Sequence, residues 1–265
     1  MSPDGSARFE GGGAVLECSL VPWDTEIFGF PVAQITRIDI HEGGDPSEVL
    51  ADFERWCASH VARLISCRLD HEKLRESMAL EATGFRFVEM VYGPRFDAFM
   101  EIATPRYGVH LSDATPADVS GIERVAYSAF TTGRFLLDDR LAPELSRRRY
   151  ATWVRTSFES DRHTVLKAEV DSQLVGFLIA EHRPDSSVYW HLTAIAPEWQ
   201  GMGMGTSVWQ ATLLRHRSDG ASYVETTISG HNLPIINLYA RLGFSFRSAQ
   251  MTFHRLRDPD TGSGR

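Results

Sequence analysis

The chain has 265 residues, 43% of them hydrophobic and 23% charged, with a mass of 29.7 kDa and a mean hydropathy of −0.21. This composition excludes disorder for the bulk of the chain and suits one large or two modest globular domains. A formal net charge of −8 repels nucleic-acid phosphates and anionic lipid, so a polyanionic ligand would need a local site.

The opening stretch MSPDGSARFEGGG and the closing DPDTGSGR are Gly- and Ser-rich and are expected to fray. Apolar runs such as 175–180 are far shorter than the ~18 residues of a membrane helix, and the first 13 residues lack an apolar signal core, so the cytoplasm is the expected compartment. From Ala14, β-branched runs alternate with helical patterns: VAQITRIDI, RLISCRL and FRFVEMVYGPRF as strands, SEVLADFERWCASHVA and HEKLRESMALEAT as helices. The stretch IATPRYGV marks a domain boundary, dividing 1–103 from 104–265. Thr115 then reads as an N-cap, with Pro116 at the first helical position.

A helix is expected from Pro116 to about Phe130 and another from about Pro143 to Phe158. Three strands follow, HTVLKAEV, LVGFLIAEHR and SVYWHLTAIA, separated by turns at Asp171-Ser172 and Asp185-Ser186, and connections this short imply antiparallel hairpins. Strands alternating with helices argue for an α/β or α+β sheet. The segments around Gly84-Phe85 and Gly243-Phe244 echo one another, each ending a helical pattern and opening a strand.

Cys18, Cys57 and Cys67 form no CxxC pair and no even set, so they read as buried reduced thiols. The ten histidines are scattered without an HExxH or grouped Cys/His spacing, and no metal is expected.

The informative stretch is Trp190 to Leu214, WHLTAIAPEWQGMGMGTSVWQATLL. An apolar strand meets Pro197, a turn with glycines at 201, 203 and 205, and an amphipathic helix starting near Thr206. Glycines at a helix entry let backbone amides turn inward, where the helix N-terminus adds partial positive charge, so the stretch reads as a phosphate cradle. No Lys follows the last glycine, as a Walker loop needs, and the spacing is not GxGxxG.

Gln200-Gly201-Met202-Gly203-Met204-Gly205 resembles the acyl-CoA loop, Gln/Arg-x-x-Gly-x-Gly/Ala, of the GNAT superfamily of N-acetyltransferases. The family's later Asn and helix ending Leu-Tyr-x-x-x-Gly-Phe are matched by Asn232 and by Leu238-Tyr239-Ala240-Arg241-Leu242-Gly243-Phe244, with Ile235 where Ala is common. The resemblance implies that the amides of Gln200, Gly201, Met202, Gly203, Met204, Gly205 and Thr206 hold the CoA pyrophosphate. The backbone around Leu192, Ala194 and Ile195 would pair with pantetheine, with Asn232 bonding nearby. Tyr239 would protonate the departing thiolate. Candidates for the base that accepts the amine proton are His191, Glu181, Glu225 or a water.

Trp23-Asp24-Thr25-Glu26-Ile27-Phe28-Gly29 resembles the WDxxxFG segment of the dTDP-fucosamine acetyltransferase type, which carries an extra N-terminal half-domain. That half lacks a QxxGxG and has Leu80 in place of the tyrosine, so it is expected not to bind CoA. Arg134, Arg147, Arg148, Arg149 and Arg155 are candidates to clamp a nucleotide-sugar diphosphate.

The resemblance thus implies a GNAT fold: a central mixed, mostly antiparallel sheet flanked by helices, after a degenerate GNAT-like half-domain. The implied activity is transfer from an acyl-CoA, most simply acetyl-CoA, to a primary amine of a small molecule in a ternary complex. Two alternatives keep the fold: an aminoacyl-tRNA or non-acetyl donor, and a non-catalytic acyl-CoA-binding module. The acidic balance speaks against nucleic acid. No membrane partner is expected, and a homodimer is left open.

Overall fold

The computed structural model describes residues 5–257, which form two compact units. One takes the chain up to Met90 and again from Ala249, and the other is Val91–Ser248. The chain therefore divides inside two strands, between Met90 and Val91 and between Ser248 and Ala249, rather than at the Pro/Gly stretch near 103. Loop composition marks where a chain bends, whereas a unit is defined by which strands pack together.

The first unit opens with β1 (Ser6–Gly11) and β2 (Ala14–Leu20), paired antiparallel from Ser6–Ser19 to Gly11–Ala14. The expectation of fraying is thus corrected for the described part of the N-terminal stretch. Gly12 and Gly13, at φ +58° and +75°, form the two-residue turn of a hairpin. The closing DPDTGSGR lies outside the described residues. Then come α1 (Pro22–Phe28), β3 (Val32–Ile40), α2 (Ser47–Ser59), β4 (Leu64–Asp70), α3 (Leu74–Ala82) and β5 (Arg86–Phe96). The WDxxxFG segment forms α1, stopped by Gly29 in the left-handed conformation.

Helix α2 buries Val49, Leu50, Phe53, Trp56 and Cys57, whose 3- and 4-residue spacing puts them on one face. They pack with Leu16, Ile38, Ile65 and Leu80. At ~1.5–3 kcal/mol for each large apolar side chain buried, this cluster is a core in its own right. Cys18, Cys57 and Cys67 are free thiols buried within it.

The second unit contains β6 (His110–Asp113), α4 (Val119–Ala129), α5 (Arg134–Leu137), α6 (Pro143–Phe158), β7 (Thr164–Val170), β8 (Gln173–His182), β9 (Ser187–Ile195), α7 (Met204–Ser218), β10 (Tyr223–Thr226), β11 (Ile228–Ser229) and α8 (Leu233–Leu242), and β12 (Ser245–Leu256) starts in it. Thr115 and Pro116 open a 3-10 turn, Pro116–Asp118, that leads into α4. The Asp118 carboxylate accepts the Thr115 N–H at 2.8 Å, the reciprocal bond of a capping box.

The strand order in this unit is β5-β10-β9-β8-β7-β6. The β9–β10 pair is parallel, the other adjacent pairs are antiparallel, and β11 pairs with β5. One face carries Val165, Phe177, Ile179, Leu192 and Ala194 against α4 and α6. The other carries Leu178, Ala180, Val188 and Trp190 against α7 and α8. The later part of β12 belongs to the first unit, whose order is β1-β2-β3-β4-β12, with β3–β4 parallel.

Candidate active site

The parallel pair β9–β10 is short. It runs in register from Ser187–Tyr223 to Trp190–Thr226, after which β10 ends while β9 continues to Ile195. At the end of the pairing the Thr226 hydroxyl donates to the Trp190 carbonyl at 2.8 Å. Beyond it β9 is flanked by β8 on one edge only, so the sheet forks there. The Ala196 N–H bonds the Val175 carbonyl and the Ala194 carbonyl lies against Gly176, so of the expected Leu192, Ala194 and Ile195 only Ile195, with Thr193, turns its main-chain polar groups to the gap. A strand edge of this kind is a template for an extended ligand.

The open edge leads directly into the glycine loop. Gly201 and Gly203 sit at φ +78° and +82°, a conformation that strains other residues, and a Cβ on either would meet nothing within 4 Å. These glycines are therefore needed for backbone shape, and the space above them is open. Gly203 is the N-cap of α7 and no side chain caps that helix, so the amides of its first turn are left for a ligand. Helix α7 begins at Met204, two residues ahead of the expected Thr206. Gly205 lies at the packing contact with Leu238 and Ile195.

Gln200 anchors the loop: its side-chain amide donates to the Ile195 carbonyl at 2.9 Å. Tyr107 steadies the far side, donating its hydroxyl to the Met202 carbonyl at 2.9 Å and its backbone N–H to Ser207 Oγ at 3.2 Å. Nothing in the local sequence signals this role, because Tyr107 lies in a loop almost a hundred residues upstream. A cavity of about 540 Å³ adjoins the loop, bordered by Trp199 and Met202 and by Arg124 and Ser128 of α4.

Asn232 is the N-cap of α8, its Oδ1 accepting the Ile235 N–H at 3.4 Å. The helix ends at Gly243 in the left-handed conformation, and the Phe244 N–H bonds back to the Tyr239 carbonyl. Tyr239 is only 3% exposed, with its ring against Phe244 at 4.6 Å and Trp209 at 6.4 Å. Burial pushes the phenol up to about 12, and Trp209 and Thr226 beside it oppose that rise only in part. The phenol therefore stays protonated and sits next to the residue that closes the fork.

Of the three candidate side-chain bases, His191 and Glu181 form one pair and Glu225 lies apart from them. His191 is the unmatched residue where the β8–β9 register shifts, since Ile179 opposes Leu192 and Ala180 opposes Trp190. A bulge of this kind re-aims the side chain it releases. His191 Nε2 lies 2.9 Å from Glu181 Oε2, while Arg162 holds Oε1 of the same carboxylate at 2.6 Å. Arg162 and then His191 lower Glu181, and burial lowers His191 despite the carboxylate. His163 stands beside them with ring centres 4.7 Å apart, its Nδ1 3.1 Å from Ser157 Oγ, and burial lowers it too.

Neither His163 nor Arg162 was among the expected site residues. Both precede β7, and only the β7–β8–β9 order brings them to His191. Glu225 sits between Arg95 at 3.4 Å and Arg183 at 3.5 Å. These guanidinium groups lie over the rings of Tyr223 and Tyr189.

Of the five expected arginines, two meet over one ring and the others lie apart from it. Arg155 pairs with Glu123, Arg134 and Arg149 lie over Phe135, and Arg147 and Arg148 are exposed on α6.

The family model described as "Acetyltransferase (GNAT) family" matches residues 130–244. One curated relative, "L-2,4-diaminobutyric acid acetyltransferase" of Nocardia farcinica, is 35% identical over 47% of this chain and 63% of its own length. Another, "Spore coat polysaccharide biosynthesis protein SpsD" of Bacillus subtilis, is 22% identical over 54% of this chain and 50% of its own. The chain thus spans between half and two-thirds of these relatives' lengths.

Among solved structures, a GCN5-related N-acetyltransferase from Sphaerobacter thermophilus superposes with a TM-score of 0.66 at 14% identity, covering 93% of this chain and 81% of that one. A tandem GNAT protein from the clavulanic acid biosynthesis pathway superposes with a TM-score of 0.62 at 16% identity, covering 96% and 84%. The fold is that of GNAT proteins, with an N-terminal extension that the family model leaves uncovered.

Proposed function

We propose that the chain is an acyl-CoA-dependent N-acyltransferase, with acetyl-CoA as the simplest donor, acting on a primary amine of a small molecule by direct transfer. The observation that carries this reading is the continuity of the β9 edge, the left-handed glycines of the loop and the uncapped start of α7, with Tyr239 beside the fork. The amides from Gln200 to Thr206 would take the pyrophosphate. With the Ala196 N–H bonded to the Val175 carbonyl, the alternating main-chain groups of Leu192 and Ala194 face β8, so pairing with the pantetheine arm falls on Thr193 and on the Ile195 N–H, the Ile195 carbonyl being held by Gln200. Asn232 spends its carbonyl oxygen on the helix cap and keeps its NH2 group for the same arm.

In the transfer itself the amine nitrogen adds to the thioester carbonyl carbon, the C–S bond breaks, and the thiolate takes its proton from the Tyr239 phenol. A phenol raised to about 12 is protonated before the step. An acyl-enzyme is disfavoured because Cys18, Cys57 and Cys67 are buried in the first unit and their thiols are pushed up to about 12. In the first unit, the fully buried Leu80 supplies no acid, which supports a half-domain that does not bind CoA.

The preferred acceptor is an amine that also carries an anionic group, a nucleotide-linked amino sugar first and a diamino acid second. Support comes from the WDxxxFG segment and from the relatives' names. The test is free-thiol release from acetyl-CoA across dTDP- and UDP-amino sugars, aminoglycosides and diamino acids. Turnover with one of them is expected. Acetyl-CoA binding with no release on any of them would make the chain a non-catalytic acyl-CoA binder.

A further inference from the structure

We infer that His191 takes the proton of the acceptor amine, with Glu181 as the residue that positions it; this rests on the transferase reading above. His191 directly follows Trp190, the last β9 residue paired with β10, so it stands at the mouth of the fork where the gap begins. The bulge turns it toward α6, where its ring meets Trp153 at 6.3 Å and His163 at 4.7 Å. Tyr239 approaches the same point from the core packed on α7 and α8. Proton donor and proton acceptor thus flank the fork from opposite faces of the sheet.

The second step is the tautomer. A carboxylate held ionised by Arg162 can only accept, so the 2.9 Å contact to Glu181 fixes the proton of neutral His191 on Nε2. Nδ1 is left with the lone pair. When Nδ1 takes the amine proton, the imidazolium is stabilised by the carboxylate already bonded to Nε2, the arrangement by which a carboxylate orients a histidine base.

The groups facing His191 are Glu181 and Arg183 from β8 and its end, Tyr189 from its own strand, and Arg162 and His163 ahead of β7. Glu225 faces Arg183 from β10, and Arg149 lies over Trp153 from α6. Burial, to which Arg183 and Arg162 add, lowers His191 against the pull of Glu181, so it is neutral at neutral pH and free to accept.

His163, Glu181 and His191 place ligand-type atoms within 4.8 Å of one another. Both oxygens of Glu181 are already engaged, and the Arg162 guanidinium adds positive charge where a cation would sit, so the trio reads better as a base and its support.

The test has an arm that needs no acceptor. Imidazole 15N NMR of the wild-type protein should show His191 as the Nε2–H tautomer at pH 7.5, titrating below the ordinary histidine value. The second arm is kcat/KM against pH with acetyl-CoA and the amine found by thiol release. The wild type should lose activity on the acid side with unit slope. His191→Gln should lower kcat/KM by 10²–10⁴-fold and abolish that limb while acetyl-CoA affinity stays within twofold.

Glu181→Gln should lower kcat and move the limb to lower pH, because removing the carboxylate disfavours the imidazolium; a merely structural role would not shift it. An Nδ1–H tautomer, an unchanged acid limb in His191→Gln, or one equivalent of retained zinc required for turnover would overturn the inference. If the limb persists while Tyr239→Phe is impaired, only the base assignment falls. If acetyl-CoA fails to bind at all, the transferase reading falls with it.

Discussion

The hydroxyl of Thr226 donates to the main-chain carbonyl of Trp190 at 2.8 Å, and both residues are buried. This bond closes the last rung between β9 and β10 and fixes where the sheet opens. A side chain is needed there because β10 has no further residue paired with β9.

Thr226→Val keeps the shape and deletes the donor, leaving the Trp190 carbonyl without that bond. The expected cost is ~1–3 kcal/mol, seen as a lower denaturation midpoint with an unchanged m-value. Because the same hydroxyl flanks the Tyr239 phenol, thiol release should also slow. A variant as stable as the wild type would show that the rung does not depend on Thr226.

Tyr239→Phe removes the proton donor and little else, since the ring contacts with Phe244 and Trp209 remain. The expected result is a 10²-fold or greater fall in kcat with acetyl-CoA affinity unchanged by calorimetry. Equal losses in both quantities would assign Tyr239 to the architecture of the site. Equal turnover would leave the thiolate to be protonated by water.

The loop prediction separates charge from backbone shape. Asn and Asp both tolerate a left-handed φ better than other residues with a side chain, and a Cβ at Gly203 has open space. Gly203→Asn and Gly203→Asp should therefore fold alike. Aspartate would place a negative charge where the pyrophosphate is expected, so CoA should bind Gly203→Asp at least tenfold more weakly than Gly203→Asn, about 1.4 kcal/mol. The gap should narrow in high salt. Equal affinities would remove the phosphate from the loop.

Much of the second unit was legible because its signals are local. Helix α6 has the expected span from Pro143 to Phe158, and the turns at Asp171-Ser172 and Ser186 take the left-handed conformations that tight hairpins need. Other elements failed for identifiable reasons. Strand β1 was hidden because the Gly-rich stretch read as a frayed end is a hairpin turn, and the strand before it is held by pairing with β2. His110–Asp113 forms an edge strand only through β7, so its four residues carry no pattern of their own. At the candidate site, the loop and Tyr239 are the residues that motif spacing names, whereas Tyr107, Arg162 and His163 come beside the loop or His191 through tertiary folding alone.

The last prediction concerns pH and stability. His216 on α7 is fully buried and accepts the Trp190 indole N–H on Nε2 at 3.0 Å. Burial and the facing His182 push it down to about 4 from 6.5. In the unfolded chain the ring takes a proton near 6.5, but in the folded chain it does so only near 4. Between these values the unfolded state binds more protons, so stability falls as pH drops from about 6.5 to about 4 and levels off below. The full shift corresponds to about 3 kcal/mol. His163 and His191, also lowered, add to the same slope. His216→Gln retains an acceptor for Trp190 without the titration. Denaturant midpoints for this variant should therefore fall less between pH 7 and pH 4.5 than those of the wild type. Parallel curves for the two proteins would show that His216 protonates without cost in the folded state.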